Sequence, residues 1–379
     1  MGLTVNLQFV RGYNDAAVLG HLRTCGVAER RVLAEATGLT PQAVSKILAR
    51  LIDDGLVETT GTRHGGRGKP AYLYRLRAET AQSIGVHASR TDLHAVMVDL
   101  AGDTVASTAM PLPPRFTPQQ LVDAVAGAVS ELMGECRCTN TVGVGIATPG
   151  PVHHDRGTVH GYRWWEAPER VPLRDELSAR CGLPVFLERT TNAALELVAW
   201  QQGERMTDTF LALADRGVGG ALWVNGRLQR GAHCVAAEFG HTVVQLDGPR
   251  CECGRLGCVE ALFNAALAAG DVERAARVMA TGLTNALEIV DVPRVIVGGR
   301  HVLSEPSTYL RAVEAGLAET LAGASAYDLS TLSVEGDAVA TGAAVMVLEA
   351  FYGLGRFTAD TGTADRPDRP SVVTEDASS

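Results

Sequence analysis

The sequence predicts an α/β protein in which an N-terminal winged helix-turn-helix precedes two α/β lobes with a ligand cleft between them. Three observations lead there. Before residue 80, short helical patterns and a glycine turn run into a capped helix and then a glycine-rich, basic hairpin. After residue 80, strand and helix patterns alternate twice over, as layered α/β units do. Charge follows the same division: residues 1–80 hold 11 Lys and Arg against 7 Asp and Glu, a net of +4, whereas the rest nets −13, giving −9 overall. A small basic head on an acidic body suggests a polyanion-binding module joined to something else. At 379 residues the chain also exceeds the single core that usually stops growing at about 250–300 residues.

In the head, a helical pattern opens at Asn14 and repeats through Ala17, Val18, Leu22 and Cys25 until Gly26. A second covers about 29–37, with Val32, Leu33 and Ala36 facing inward, and Gly38-Leu39 makes the tight turn. Thr40 is an N-cap, and Pro41 sits at the first helical position. The third helix, 42–54, buries Val44, Ile47, Leu48 and Leu51. Its outer face offers Gln42 and Ser45 to base edges, and Lys46 and Arg50 to phosphates. Strands at 56–58 and 71–76 bracket a wing in which Arg63, Arg67 and Lys69 suit phosphates or a minor groove. A helical docking module with a solvated basic loop is the plainer reading of this pattern. The agreement of turn, cap, wing and charge favours a double-stranded DNA operator as the partner.

In the body, strands are expected at 83–86, 93–99 and 105–110, a helix at about 118–133, and a strand at 142–147 that meets the rigid turn Thr148-Pro149-Gly150-Pro151. A helix at 173–181, a strand at 185–187 and a helix from Asn192 to about residue 201 follow. Strands at 210–214 and 220–224 bracket a glycine loop, Asn225-Gly226 is a hairpin turn, and 294–297 reads as a buried strand ending in Gly298-Gly299. Cys136 and Cys138 lack a partner pair at metal spacing and read as reduced thiols. His153, His154 and His160, near Trp164-Trp165, read as solvated loop histidines. No apolar run is long enough to span a bilayer and no signal-peptide core is present, so no membrane partner and a cytoplasmic location are expected. The stretch 356–379 reads as a disordered tail.

Eighteen residues, 241–258, hold the most specific chemistry: His241, Cys251, Cys253 and Cys258. One imidazole and three thiolates form the ligand set of a closed tetrahedral zinc site. Four protein ligands leave no open position for an activated water, so the expected Zn2+ is structural. Disulfides and buried thiols are the alternatives, although three cysteines within eight residues cannot all pair with one another.

The run Ala236-Ala237-Glu238-Phe239-Gly240-His241, followed by Cys251-Glu252-Cys253-Gly254-Arg255-Leu256-Gly257-Cys258 and Glu260, resembles the signature of the ROK family of repressors, open reading frames and sugar kinases. Thr148-Pro149-Gly150-Pro151, Asn225-Gly226-Arg227, Arg230-Gly231-Ala232, Val297-Gly298-Gly299 and Thr341-Gly342-Ala343-Ala344 support it. With the winged head, the chain is similar over roughly residues 10–355 to the family's xylose- and N-acetylglucosamine-type repressors. The resemblance implies an actin-like (ribonuclease-H-like) ATPase fold behind the head. It divides the chain into a winged helix at 1–80, a small lobe at 81–200, a large lobe with the zinc site at 201–355, and the tail. It also implies that Glu238, His241 and Glu260 bind sugar hydroxyls.

Two departures from the family pattern bear on function. An Asn-Asp pair, whose aspartate is the kinases' general base, is replaced by Arg189 and Thr190. A threonine hydroxyl has no accessible conjugate base near pH 7. The first phosphate loop has His87 and Ser89 where the family has aspartate and glycine, and Asp215-Arg216-Gly217-Val218-Gly219-Gly220 matches the second only in part. Arg189 and Thr190 therefore join the expected ligand site, either recognising a differently substituted ligand or filling the pocket. The expectation is a sugar-responsive regulator of carbohydrate uptake or catabolism genes. It would be a homodimer or higher homo-oligomer that takes a sugar or oligosaccharide effector and has no kinase activity. An ATP-dependent sugar kinase with a regulatory head, and an architectural DNA-binding protein with a dead cleft, are the alternatives.

Overall fold

A computed structural model describes residues 13–63, 71–136, 140–160, 170–333 and 337–352. Arg67, Lys69, Cys138, Trp164, Trp165 and the stretch 356–379 lie outside the described residues, as does the side chain of Arg63.

The head folds as the winged pattern requires. Helices Tyr13–Cys25, Arg30–Thr37 and Pro41–Asp53 close over Leu19, Leu22, Leu33, Val44, Leu48 and Leu51. Gly38 takes φ +68° after the second helix, and the Thr40 hydroxyl accepts the Ala43 N–H at 3.2 Å to cap the third. Strands Val27–Glu29, Ala71–Leu76 and Val57–Arg63 form an antiparallel sheet in that order. The short helices rotate slightly from expectation. Leu19 is buried where Cys25 was expected, and Leu33 with Ala34 faces the core while Val32 and Ala36 are exposed. An eight-residue helix has too few turns for periodicity to define its inner face.

Each lobe of the body is built on a five-stranded mixed sheet, and the two have the same topology. The first runs Val185–Arg189, Thr141–Thr148, Gln82–Ala88, Asp92–Asp99, Thr104–Pro111; the second runs Asp328–Leu332, Arg294–Gly298, Thr209–Ala214, Val218–Val224, Arg227–Leu228. In both, the central strand pairs in parallel on one side and antiparallel on the other. Helices Pro118–Glu135 and Leu173–Cys181 cover the first sheet; Val259–Ala268, Val272–Val290 and Pro306–Ala318 pack in the second lobe.

The closing helix, Ala338–Tyr352, corrects the expected boundaries. Although it follows the second lobe in sequence, it packs on strands Gln82–Ala88 and Thr141–Thr148 of the first sheet and on helix Thr190–Gln202. A Cβ on Gly85 would lie 1.9 Å from Ala340 O, and one on Gly145 1.9 Å from Ala343 O. Only glycine allows helix and strands to approach so closely. Residues up to 355 therefore do not all belong to the second lobe, because apolar matching to the first sheet places this helix there.

Candidate functional site

Three groups of side chains make up the candidate site: the outer face of helix Pro41–Asp53, the His/Cys cluster and the cleft. On helix Pro41–Asp53, Gln42 and Lys46 stand exposed. The Ser45 hydroxyl donates to Pro41 O at 2.8 Å and accepts from Arg30 at 3.1 Å, bringing to this face a cation that the sequence pattern did not single out. Arg50 instead pairs with the buried carboxylate of Asp15, which anchors the first helix to the third. Its side chain remains half-exposed beside that pair.

The expected metal ligands converge. The ligand atoms of His241, Cys251, Cys253 and Cys258 all lie within 4.8 Å of one another. Cys253 Sγ and Cys258 Sγ are 3.6 Å apart, and Cys251 Sγ is 3.5 Å from His241 Nδ1. A tetrahedron with bonds of about 2.3 Å to sulfur and about 2.1 Å to nitrogen has edges of roughly 3.5–3.8 Å. The seven described cysteines are free, so the disulfide alternative is set aside for this cluster. The loop folds tightly because Gly257 takes φ +66°, where a Cβ would meet Gln245 O at 1.5 Å. Burial opposes ionisation of Cys253, but hydrogen bonds from Arg255 and the neighbouring thiols outweigh it and hold this thiol down at about 6, so a thiolate is ready to ligate.

The same loop presents the cleft, a cavity of about 160 Å³ between the lobes whose walls include Arg189, Thr190, Glu238, His241 and Glu260. All five expected ligand residues are thus brought together. Ala237, at φ +60°, turns the backbone just before Glu238. Glu260 starts helix Val259–Ala268 and accepts the Val218 N–H at 2.8 Å; burial raises its pKa against that bond and the nearby His241. A Cβ on Gly217 would lie 2.6 Å from this carboxylate, so the Asp215-Arg216-Gly217 turn packs directly beneath the end of the Glu260 side chain.

Arg189, expected either to recognise a ligand or to fill the pocket, lines the cleft and also bonds across it. Its side chain is 5% exposed and crosses from the first lobe to bond Glu238, with further donations to Ala236 O at 2.7 Å and Asn192 Oδ1 at 3.1 Å. The carboxylate expected to receive ligand hydroxyls already holds a guanidinium. Beside it, Thr190 Oγ1 is 3.4 Å from His87 Nε2, and burial pushes His87 down to about 4, so the ring is neutral at pH 7. A second inter-lobe bridge, Arg90 to Glu252 at 3.1 Å, ties the first lobe to the cysteine loop. Asp215 pairs with Arg300. Sequence spacing gave no sign of these pairs, since their partners lie 85 and 162 residues apart.

Comparison with known proteins fits this arrangement. The ROK family model matches residues 83–269, and the MarR family model matches residues 16–68. Residues 83–269 are thus similar to the ROK family, and the stretch before them is similar to the MarR family. It is 29% identical over 266 residues to the DNA-binding transcriptional dual regulator NagC of Escherichia coli, a match spanning 69% of this chain and 65% of NagC. It is also 35% identical over 186 residues to a glucokinase of Streptomyces coelicolor, across 47% of this chain and 55% of that enzyme. A solved ROK family transcriptional regulator, described as a homologue of the E. coli MLC protein, superposes with a TM-score of 0.75 at 19% identity over 89% of this chain and 96% of that one. The ROK fold therefore accounts for both lobes, and its relatives include regulators and kinases. Among the described residues, no helix is long and apolar enough to cross a membrane.

Proposed function

We propose that this ROK protein is a transcriptional regulator, most simply a repressor of carbohydrate uptake or catabolism genes. It would bind a double-stranded DNA operator through its winged head and a small effector of the sugar or oligosaccharide class in the cleft. The reading is supported by an exposed helix face, Gln42 and Lys46 beside Arg30, together with a cleft in which Thr190 lines the wall where the family resemblance puts the kinases' general base. A hydroxyl cannot remove a proton from a sugar alcohol at pH 7, and the neutral His87 beside it, held near 4, is a poor base. Similarity to NagC supports the regulator reading. The glucokinase similarity supports the shared fold, and phosphoryl transfer is the outcome this reading excludes.

The donor set at His241, Cys251, Cys253 and Cys258 suits Zn2+, which would brace the loop carrying Glu238 and leave the other imidazole nitrogen for hydrogen bonding. A homodimer would place two heads on half-sites about one helical turn apart or a multiple of it. The test is a mobility-shift assay on the DNA upstream of the chain's own coding sequence, with and without a panel of monosaccharides and oligosaccharides. A sugar-sensitive shift supports the reading. Turnover in a coupled kinase assay with the same panel overturns it.

A further inference from the structure

Helix Thr190–Gln202 connects the cleft to the head, and it lies against the closing helix Ala338–Tyr352. At the cleft end, Arg189 immediately precedes the first turn and reaches across to Glu238 and Ala236 O. At the other end, Trp200 is stacked under Arg23 of the head's first helix, with the guanidinium carbon 3.9 Å from the ring centroid. The indole N–H donates to Ala101 O at 3.3 Å, and the Tyr352 ring lies 6.0 Å away, its hydroxyl donating to Leu100 O at 2.7 Å. Thirteen helical residues span about 20 Å.

Three features make this assembly stiff. A Cβ on Gly342 would lie 2.0 Å from Ala193 O, so the two helices touch backbone to backbone. Asn192, Glu196 and Trp200 recur at every fourth position and therefore share one stripe. Arg230, from the second lobe, holds that stripe through Glu188 at 2.5 Å, itself bonded by Asn192 at 2.7 Å, and lies 3.7 Å from Glu196. The head meets the body at a second place, where the Asn140 amide donates to Thr80 O at 3.1 Å beside the chain crossing. Motion of Trp200 with that crossing held would tilt the head.

We propose that this helix pair is the lever between cleft and head, with Arg189–Glu238 as its latch and Arg23–Trp200 as its output contact. The proposal rests on the regulator reading above and specifies how that cleft is read. A ligand that takes the oxygens of Glu238 displaces Arg189, frees the start of the helix and passes the shift to Arg23. The ligand moves the equilibrium only by its differential affinity for the latched and unlatched states.

The test needs neither the effector nor the operator: amide hydrogen exchange of the full chain, read peptide by peptide. Arg189→Met opens the latch. The expected result is exchange about fivefold or more faster in residues 13–25 as well as around 236–241, the lower end of ordinary coupling between sites. In an Arg23→Ala background the added Arg189→Met change leaves residues 13–25 unaltered, while Arg23→Lys restores part of the response because an ammonium also stacks on indole. Opening confined to residues 185–241, with 13–25 at the wild-type rate, overturns the lever. If Arg189→Met fails to fold, Glu238→Gln is read for the same two outcomes. Duplex binding by the wild type is measured separately: its absence with coupling intact removes the regulator reading, and its presence without coupling removes the lever.

Discussion

Arg189 sets what the cleft presents. Its guanidinium satisfies a carboxylate, a carbonyl and an amide oxygen at once, so truncation leaves three acceptors without their cation. Arg189→Ala should destabilise the protein by about 2–4 kcal/mol in urea melts, the range for breaking a mostly buried pair, discounted because Glu238 is partly exposed. Arg189→Lys should recover only part of that, since an ammonium lacks the planar fork. An unchanged midpoint for Arg189→Ala would show that the pair contributes nothing. His87 gives a pH signature. Burial lowers its pKa from 6.5 to about 4, so the unfolded chain binds more protons between those values and stability falls as pH drops from about 6.5 toward 4. His87→Gln should flatten that part of the pH–stability curve, and an identical slope in wild type and variant would contradict the assignment.

Individual elements were legible from sequence where a local rule governs them. The Thr40 cap, the Gly38 turn and the buried face Val44, Ile47, Leu48 and Leu51 stand as the pattern required. The His/Cys loop was equally legible, because four ligands within eighteen residues leave little room for another chemistry. If that cluster holds structural zinc, dialysis against a strong chelator should lower Tm by about 5 °C or more, and Cys253→Ser should do the same. A metal-free preparation melting at the same temperature would contradict it. The closing helix was not read from sequence beyond the Thr341-Gly342-Ala343-Ala344 run, and Gly85 and Gly145 show their role only once Ala340 and Ala343 lie on them. Gly145→Ala should therefore cost about 1–3 kcal/mol through overpacking, whereas the same change at Gly127, with nothing within 4 Å, should be neutral or slightly stabilising.

On the scale of the whole molecule, the split between a basic head and an acidic body was visible in composition, and the ROK signature extended it to a two-lobed fold. The equal topology of the two sheets was not visible, because strand order depends on pairings between residues far apart in sequence, such as Leu211 with Ile296. The inter-lobe bridges Arg189–Glu238 and Arg90–Glu252 were hidden for the same reason. The central claim is that the head reads duplex DNA while the cleft regulates without phosphoryl transfer. Its most direct test is fluorescence anisotropy of a labelled duplex from the chain's own upstream region, titrated with the full chain across a range of salt concentrations. The expected result is sub-micromolar binding that weakens steeply with salt, with Lys46→Ala reducing the magnitude of the log–log slope by about one and Gln42→Ala weakening this duplex more than a scrambled one. Equal affinity for both duplexes, or no binding at low salt, would contradict it.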